Sequence, residues 1–286
     1  MSRQTLRRYP LCHTSSASAV LAISMLLFMM MNSLTASPTL RAAEDRWEKT
    51  IQKFEAQDRE SPPPRGETLF IGSSSIRGWK LQKYFSGMQA INRGFGGSQI
   101  ADSVRYMSRI LVPYQPKAVV FYAGDNDISS GKSPETVLAD YKRFASGVHK
   151  ALPRTSIIFV AIKPSIARWK LAEKMRQANG LIRDFTKKDS RLFYVDIDTP
   201  MIGEDGKPRP ELFARDGLHL NDAGYKLWTK LVKEALKAAE KARKRQETGE
   251  DASTGVDNPL EKTQEPLSTC GVQGPCVTVT HPDPGV

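Results

Sequence analysis

The sequence predicts an α/β fold, a parallel sheet of five strands covered by helices on both faces. Five short apolar runs predict the strands: Thr68 to Ile71, Gln89 to Asn92, Ala118 to Tyr122, Ile157 to Ile162 and Leu192 to Ile197. Segments of helical periodicity lie between and after them: Ile100 to Leu111, Pro134 to Leu152, Arg168 to Lys187, and Asp222 to about Arg245. Strands that alternate with helices argue for parallel pairing, because each crossover helix must lie on a sheet face. Ligands of such sheets collect beyond the carboxyl ends of the strands.

The elements follow in order. Residues 1–40 read as a signal peptide or N-terminal anchor. Arg3, Arg7 and Arg8 precede a stretch, Tyr9 to Leu40, that holds no charged residue, and Val20 to Met31 is almost entirely apolar. That apolar run is shorter than a membrane-spanning helix needs, as in a secretory signal. The expectation is export to a periplasm or the medium, with anchoring by an uncleaved segment as the alternative. Ala36, or Ala42 and Ala43, would suit cleavage. Arg7 and Arg8 resemble a twin-arginine signal, but the residues after them fit it poorly.

Residues 41–65 form an N-terminal helix and linker. Glu44 to Arg59 is charged and carries Trp47, Ile51 and Phe54 on one face, and Ser61-Pro-Pro-Pro-Arg-Gly ends it. Residues 66–246 hold the alternating strands and helices. Residues 247–286 turn to Pro, Gly, Thr, Ser and acids with little apolar content, a composition that predicts a disordered tail.

At 286 residues and 40% hydrophobic content the chain can bury one full core. Its net charge is +11, and loss of three arginines with a signal leaves +8. The basic residues Lys226, Lys230, Lys233, Lys237, Lys241, Arg243, Lys244 and Arg245 recur at helical spacing opposite Leu227, Trp228, Leu231, Val232, Ala235 and Leu236. That pattern reads as a solvated helix face. It lacks the interleaved exposed aromatics of a nucleic-acid surface, so no nucleic-acid partner is expected. Cys12 would leave with the signal, and Cys270 and Cys276 could close a small loop in an oxidising compartment. No cysteine and histidine cluster has zinc spacing, and neither glycine-rich stretch has the Walker or dinucleotide pattern. The expectation is no metal and no cofactor.

Chemistry gathers at the strand ends. The first strand runs into Gly72-Ser73-Ser74-Ser75, the second into Asn92-Arg93-Gly94-Phe95-Gly96-Gly97, and the third into Gly124-Asp125-Asn126-Asp127. In a parallel sheet all three open on one rim. A nucleophilic serine needs a base. Of four histidines, His13 lies in the signal, His281 in the tail, and His149 on a helix beside Lys150, which leaves His219. Asp216 precedes it by three residues, a spacing that can bring a carboxylate to one imidazole nitrogen while the other faces outward.

The chain at this point resembles the SGNH hydrolases, also called GDSL-type esterases and acylhydrolases, in motif order and spacing from about Glu67 to Leu236. "FIGSSSIRGW" corresponds to the first block and makes Ser74 the nucleophile. "NRGFGGS" matches the second and points to Gly97; "GDND" is the third, with Asn126; "DGLH" is the last, with Asp216 and His219. Ser73 and Ser75 depart from the acid and leucine of the name-giving block. The resemblance implies a three-layer αβα sandwich, flavodoxin-like, and hydrolysis of acyl esters. It also implies an oxyanion hole built from the backbone N–H of Ser74, the backbone N–H of Gly97 and the side-chain amide of Asn126.

The functional expectation is therefore a serine esterase acting through Ser74, His219 and Asp216 on a short acyl group, acetyl among the candidates, carried by a carbohydrate or small alcohol. The alternative is a catalytically silent protein of the same fold that binds a glycan or acyl compound. A membrane partner is expected only if the N-terminal segment stays uncleaved. Asp125 and Asp127 begin a calcium-loop pattern that then fails at Ser130 and Glu135, so they read as turn formers holding Asn126. Trp79 and Trp169 read as packing residues, and Lys163 and Arg168 as candidates for contact with a polar or anionic substrate.

Overall fold

The computed structural model describes residues 46–248. The signal segment with its cleavage positions, and the tail with Cys270 and Cys276, lie outside the described residues. One unit contains helix α1 (Glu48–Glu60), whose first turn carries Glu48, a charge that suits the positive end of the helix dipole.

The second unit is the α/β fold. Strands β1 (Thr68–Gly72), β2 (Ala90–Gly94), β3 (Ala118–Tyr122), β4 (Ser156–Val160) and β5 (Leu192–Val195) pair in parallel in the order β2-β1-β3-β4-β5. Every residue of β1, β3 and β4 is buried, which is why these runs are apolar throughout rather than alternating. The longer helices are α4 (Ile100–Ile110), α6 (Pro134–Ala151), α7 (Ala172–Thr186) and α8 (Asp222–Thr248), and short helical turns α2 (Ser74–Arg77), α3 (Leu81–Tyr84) and α5 (Asp125–Ser129) follow strands or loops.

Several boundaries differ from the sequence expectation for identifiable reasons. Strand β2 begins one residue later and runs on through Arg93 and Gly94. Arg93 is buried against the Tyr114 ring and donates to its hydroxyl at 2.9 Å, so its charge does not end the strand. Strand β4 stops at Val160 because the Asn179 side chain takes both the N–H and the C=O of Ile162, replacing a ladder partner. Strand β5 stops at Val195 because Asp196 accepts the N–H groups of Asp198 and Thr199 in a turn. The helix expected from Arg168 starts at Ala172, after a 3₁₀ turn at Trp169–Leu171, and the last helix reaches Thr248.

Beneath the strand ends lies an aromatic cluster. Trp79 packs against Phe70, Phe85, Tyr225 and Trp228 with ring centroids 5.5 to 5.8 Å apart, and its indole N–H reaches Thr229 at 3.2 Å. Trp79 is thus a core residue with its one donor satisfied. The same cluster ties α8 to the turn after β1, since the Tyr225 hydroxyl donates to the Ser75 carbonyl at 3.0 Å.

Candidate active site

Strand β1 ends on Gly72, whose φ of +135° only glycine holds without strain. A Cβ there would lie 1.9 Å from the Tyr122 carbonyl oxygen. This close approach lets the Ser73 N–H bond the Tyr122 carbonyl at 2.9 Å, and the chain turns at once into α2 with Ser74 as its first residue. The second loop is fastened to the first by the Phe95 N–H, which donates to the Gly72 carbonyl at 2.9 Å. Asn92 adds two more ties, from its amide to the carbonyls of Ile76 and Trp79. Gly97, at φ +78°, turns this loop back toward α4.

The third loop is held to the second. Both carboxylate oxygens of Asp127 receive the Ile100 N–H, and Lys132 donates to Asp127 at 2.8 Å. The Asn126 amide donates to the Ser98 carbonyl at 2.9 Å. Asp125 Oδ1 accepts the Asn126 N–H at 2.9 Å. The two acids are therefore fully engaged inside the protein, Asp125 holding the Asn126 backbone and Asp127 joining the two loops.

The fourth segment arrives from the far end of the chain. Gly217, at φ +61°, completes a turn in which Asp216 Oδ1 accepts the N–H groups of Leu218 and His219 at 2.9 Å each. Its other oxygen meets His219 Nδ1 at 2.6 Å. Hydrogen bonding from the imidazole and from these two backbone amides holds the Asp216 carboxyl well below the usual carboxylate range. Asn221 then caps α8 by accepting from Ala223 and Gly224, and the Ala167 N–H bonds the Gly217 carbonyl at 3.1 Å, which fixes the turn against the loop after β4.

His219 Nε2 lies 3.1 Å from Ser74 Oγ across 145 residues of sequence. Ser74, His219 and Asp216 thus form one hydrogen-bonded chain. A chain of this kind can move a proton off a hydroxyl while a carboxylate steadies the imidazolium that forms. Gly97 and Asn126 belong to loops that emerge from strands on either side of β1, with β1 residue Gly72 in register with Gly94 and with Tyr122. Neither the Ser74 N–H nor the Gly97 N–H donates to a protein acceptor among the described residues. Both are free to serve a ligand oxygen.

Lys163 departs from the sequence expectation. Its side chain is 1% exposed and turned inward, 3.1 Å from Asp125 Oδ2 and 3.0 Å from the Tyr122 hydroxyl, so it does not face a substrate. Burial alone would favour its neutral form, but the Asp125 charge overrides this and raises its pKa. Burial likewise pushes Tyr122 up to about 12. Arg168 reaches the loop after β3 instead of open solvent, with Nη1 and Nη2 each 3.1 Å from Asn126 Oδ1 and Nη1 3.2 Å from Asp125. Trp169 is half-buried, with the Arg176 guanidinium 5.3 Å above its ring. The sequence shows Lys163 and Arg168 as two cations in the segment after an apolar strand but carries no mark of their partners, Asp125 and Asn126, 38 and 42 residues away.

The described residues contain no cluster of three or more histidine, cysteine, aspartate or glutamate side chains arranged to hold a metal ion. Because Asp125 and Asp127 are already occupied by Lys163, Arg168 and Lys132, dialysis against a chelator is expected to leave ester hydrolysis unchanged. A loss of rate restored by calcium would contradict this.

Comparison with known proteins gives the following matches. The profile of the GDSL-like lipase/acylhydrolase family matches residues 69–227. Platelet-activating factor acetylhydrolase IB subunit alpha1 of Homo sapiens is 27% identical over 191 residues, covering 64% of this chain and 79% of that protein. A solved structure from Streptococcus pneumonia superposes with a TM-score of 0.61 at 23% identity, covering 78% of this chain and 100% of the other. A GDSL-like lipase from Bacteroides thetaiotaomicron superposes with a TM-score of 0.58 at 20% identity, covering 66% and 98%. These two structures share the fold.

Proposed function

Since the chain belongs to the GDSL-like lipase/acylhydrolase family, the SGNH hydrolases, and is a hydrolase acting on esters, we propose that Ser74 is its nucleophile, His219 its general base and acid, and Asp216 the group that orients the imidazole. The observation that carries this reading is the continuous hydrogen-bonded path from Ser74 Oγ through both nitrogens of His219 to Asp216. His219 Nε2 takes the Ser74 proton as Oγ attacks the acyl carbon. The carbonyl π electrons move onto oxygen, and the resulting oxyanion is met by the N–H groups of Ser74 and Gly97 and by the Asn126 amide. The C–O bond to the alcohol then breaks, and His219 returns the proton to the departing oxygen. Water repeats the sequence on the acyl-enzyme, releasing the acid and restoring the serine.

The substrate in this reading is a short acyl ester, acetyl among the candidates, of a carbohydrate or small alcohol. Two features support it. The human relative is by name an acetylhydrolase. No long apolar insertion that could fold as a lid interrupts the sequence of residues 66–246. A panel of phenyl esters of increasing acyl length, run beside acetylated sugars, tests the assignment. Turnover is expected to be greatest for acetyl and to fall as the chain lengthens. A maximum on long-chain esters would overturn the short-acyl assignment, and absence of turnover on all of them would favour a binding protein.

A further inference from the structure

The carboxamide of Asn126 is gripped at both ends. Its Oδ1 accepts from two nitrogens of Arg168, each at 3.1 Å, while Nδ2 donates to the Ser98 carbonyl at 2.9 Å. Rotating the amide by half a turn would set N–H groups against a guanidinium and an oxygen against a carbonyl, so only one orientation is stable. In that orientation the second Nδ2 hydrogen has no protein acceptor among the described residues.

Arg168 is itself held in place. Asp125 Oδ2 lies 3.2 Å from its Nη1, and the same oxygen receives buried Lys163 at 3.1 Å, which is anchored on the Tyr122 hydroxyl. The Arg168 side chain is 19% exposed and that of Asp125 is 6% exposed. Two cations therefore face one carboxylate, and one positive charge is left over immediately behind Asn126. A guanidinium on the carbonyl oxygen of an amide draws electron density from the nitrogen and strengthens its N–H as a donor.

We propose that Arg168 is a positioning residue for the hydrolytic reaction: with Asp125 and Lys163 behind it, it locks and polarises the Asn126 amide as an oxyanion donor. The inference rests on the reading of Asn126 given above. It assigns Arg168 to the acceleration of the chemical step and not to substrate capture, although it is a cation at the edge of the site.

A double-mutant cycle on the full chain tests this, with a neutral phenyl acetate as substrate and melting temperatures recorded for each protein. Loss of one oxyanion donor lowers kcat by roughly 100-fold to 1000-fold, so Asn126→Ala is expected in that range. Because it removes only the alignment of that donor, Arg168→Met is expected to lower kcat by roughly 10-fold to 100-fold with KM nearly unchanged. Arg168→Lys keeps the charge but not the forked contact, and is expected to recover part of the loss. In the Asn126→Ala background, Arg168→Met is expected to cost almost nothing further.

An Arg168→Met defect carried by KM, or one of equal size with and without Asn126, would overturn the inference. So would a normal kcat in Arg168→Met while Asn126→Ala is slow. Were Asn126→Ala itself fully active, the donor assignment would fall first and the inference with it. Arg168→Gln provides a second neutral side chain should the methionine variant melt early.

Discussion

Replacing Ser74 with alanine is expected to lower kcat/KM on a small activated ester by at least about 10,000-fold, because a triad acts as a unit and little survives loss of its nucleophile. The change removes one oxygen whose side-chain partner is His219 Nε2. The neighbours that shape the turn are untouched: Gly72 against Tyr122, Ser73 N–H on the Tyr122 carbonyl, and Tyr225 on the Ser75 carbonyl. Unfolding by urea should therefore match the parent protein. A residual rate above water would come from the oxyanion donors, which remain. Undiminished turnover by the purified variant would remove Ser74 from the mechanism.

Lys163→Met is expected to have the largest effect on stability, a loss of about 3 kcal/mol, since breaking a buried pair from one side leaves the other charge without water or partner. Asp125 keeps Arg168, which sets the estimate at the lower end of the range for such changes. The effect should depend on pH in a defined direction. In the parent, burial raises the Asp125 pKa, but the charges of Lys163 and Arg168 outweigh it and the net shift is downward. Its contribution to stability is thus present above the carboxyl pKa of the unfolded chain and is lost as pH falls through the folded value. In the variant burial gains on the remaining charge, and the folded pKa moves up. The deficit is then full near neutrality and shrinks as the carboxyl protonates. Urea titrations at about pH 7 and about pH 4 are expected to show the gap between variant and parent narrowing with acid. A gap that widens would mean that Asp125 is not the group left unpaired.

The sheet was legible because its central strands are buried on both faces and therefore read as unbroken apolar runs; Ala118–Tyr122 runs from end to end as expected. The ends of β2 and β4 were not, because side chains elsewhere in the sequence end or extend them. Asn179 stops β4 by capturing Ile162, and Tyr114 lets β2 continue by covering Arg93. The small helices after β1 and β3 were also hidden, being too short to show a period.

The meeting of Ser74 with His219 was legible through motif order alone, since His219 arrives on the long segment between β5 and α8 and not on a loop leaving a neighbour of β1. The direction of Lys163 was not. A lysine after a strand looks the same in sequence whether it faces a substrate or a buried aspartate, and here Asp125, 38 residues away, decides the matter. Arg168 is a similar case. Its partner is an amide oxygen on another loop, and amide oxygens leave no charge pattern to read.

The most direct test of the central claim is covalent. An organophosphonate carries an electrophilic phosphorus that an activated serine attacks with loss of the leaving group, which leaves a stable phosphonyl ester. Mass spectrometry of the labelled protein is expected to find one adduct, on the peptide containing Ser74, with hydrolysis lost in proportion to labelling and no adduct on the Ser74→Ala variant. An adduct on another residue, or hydrolysis that persists in fully labelled protein, would contradict the account.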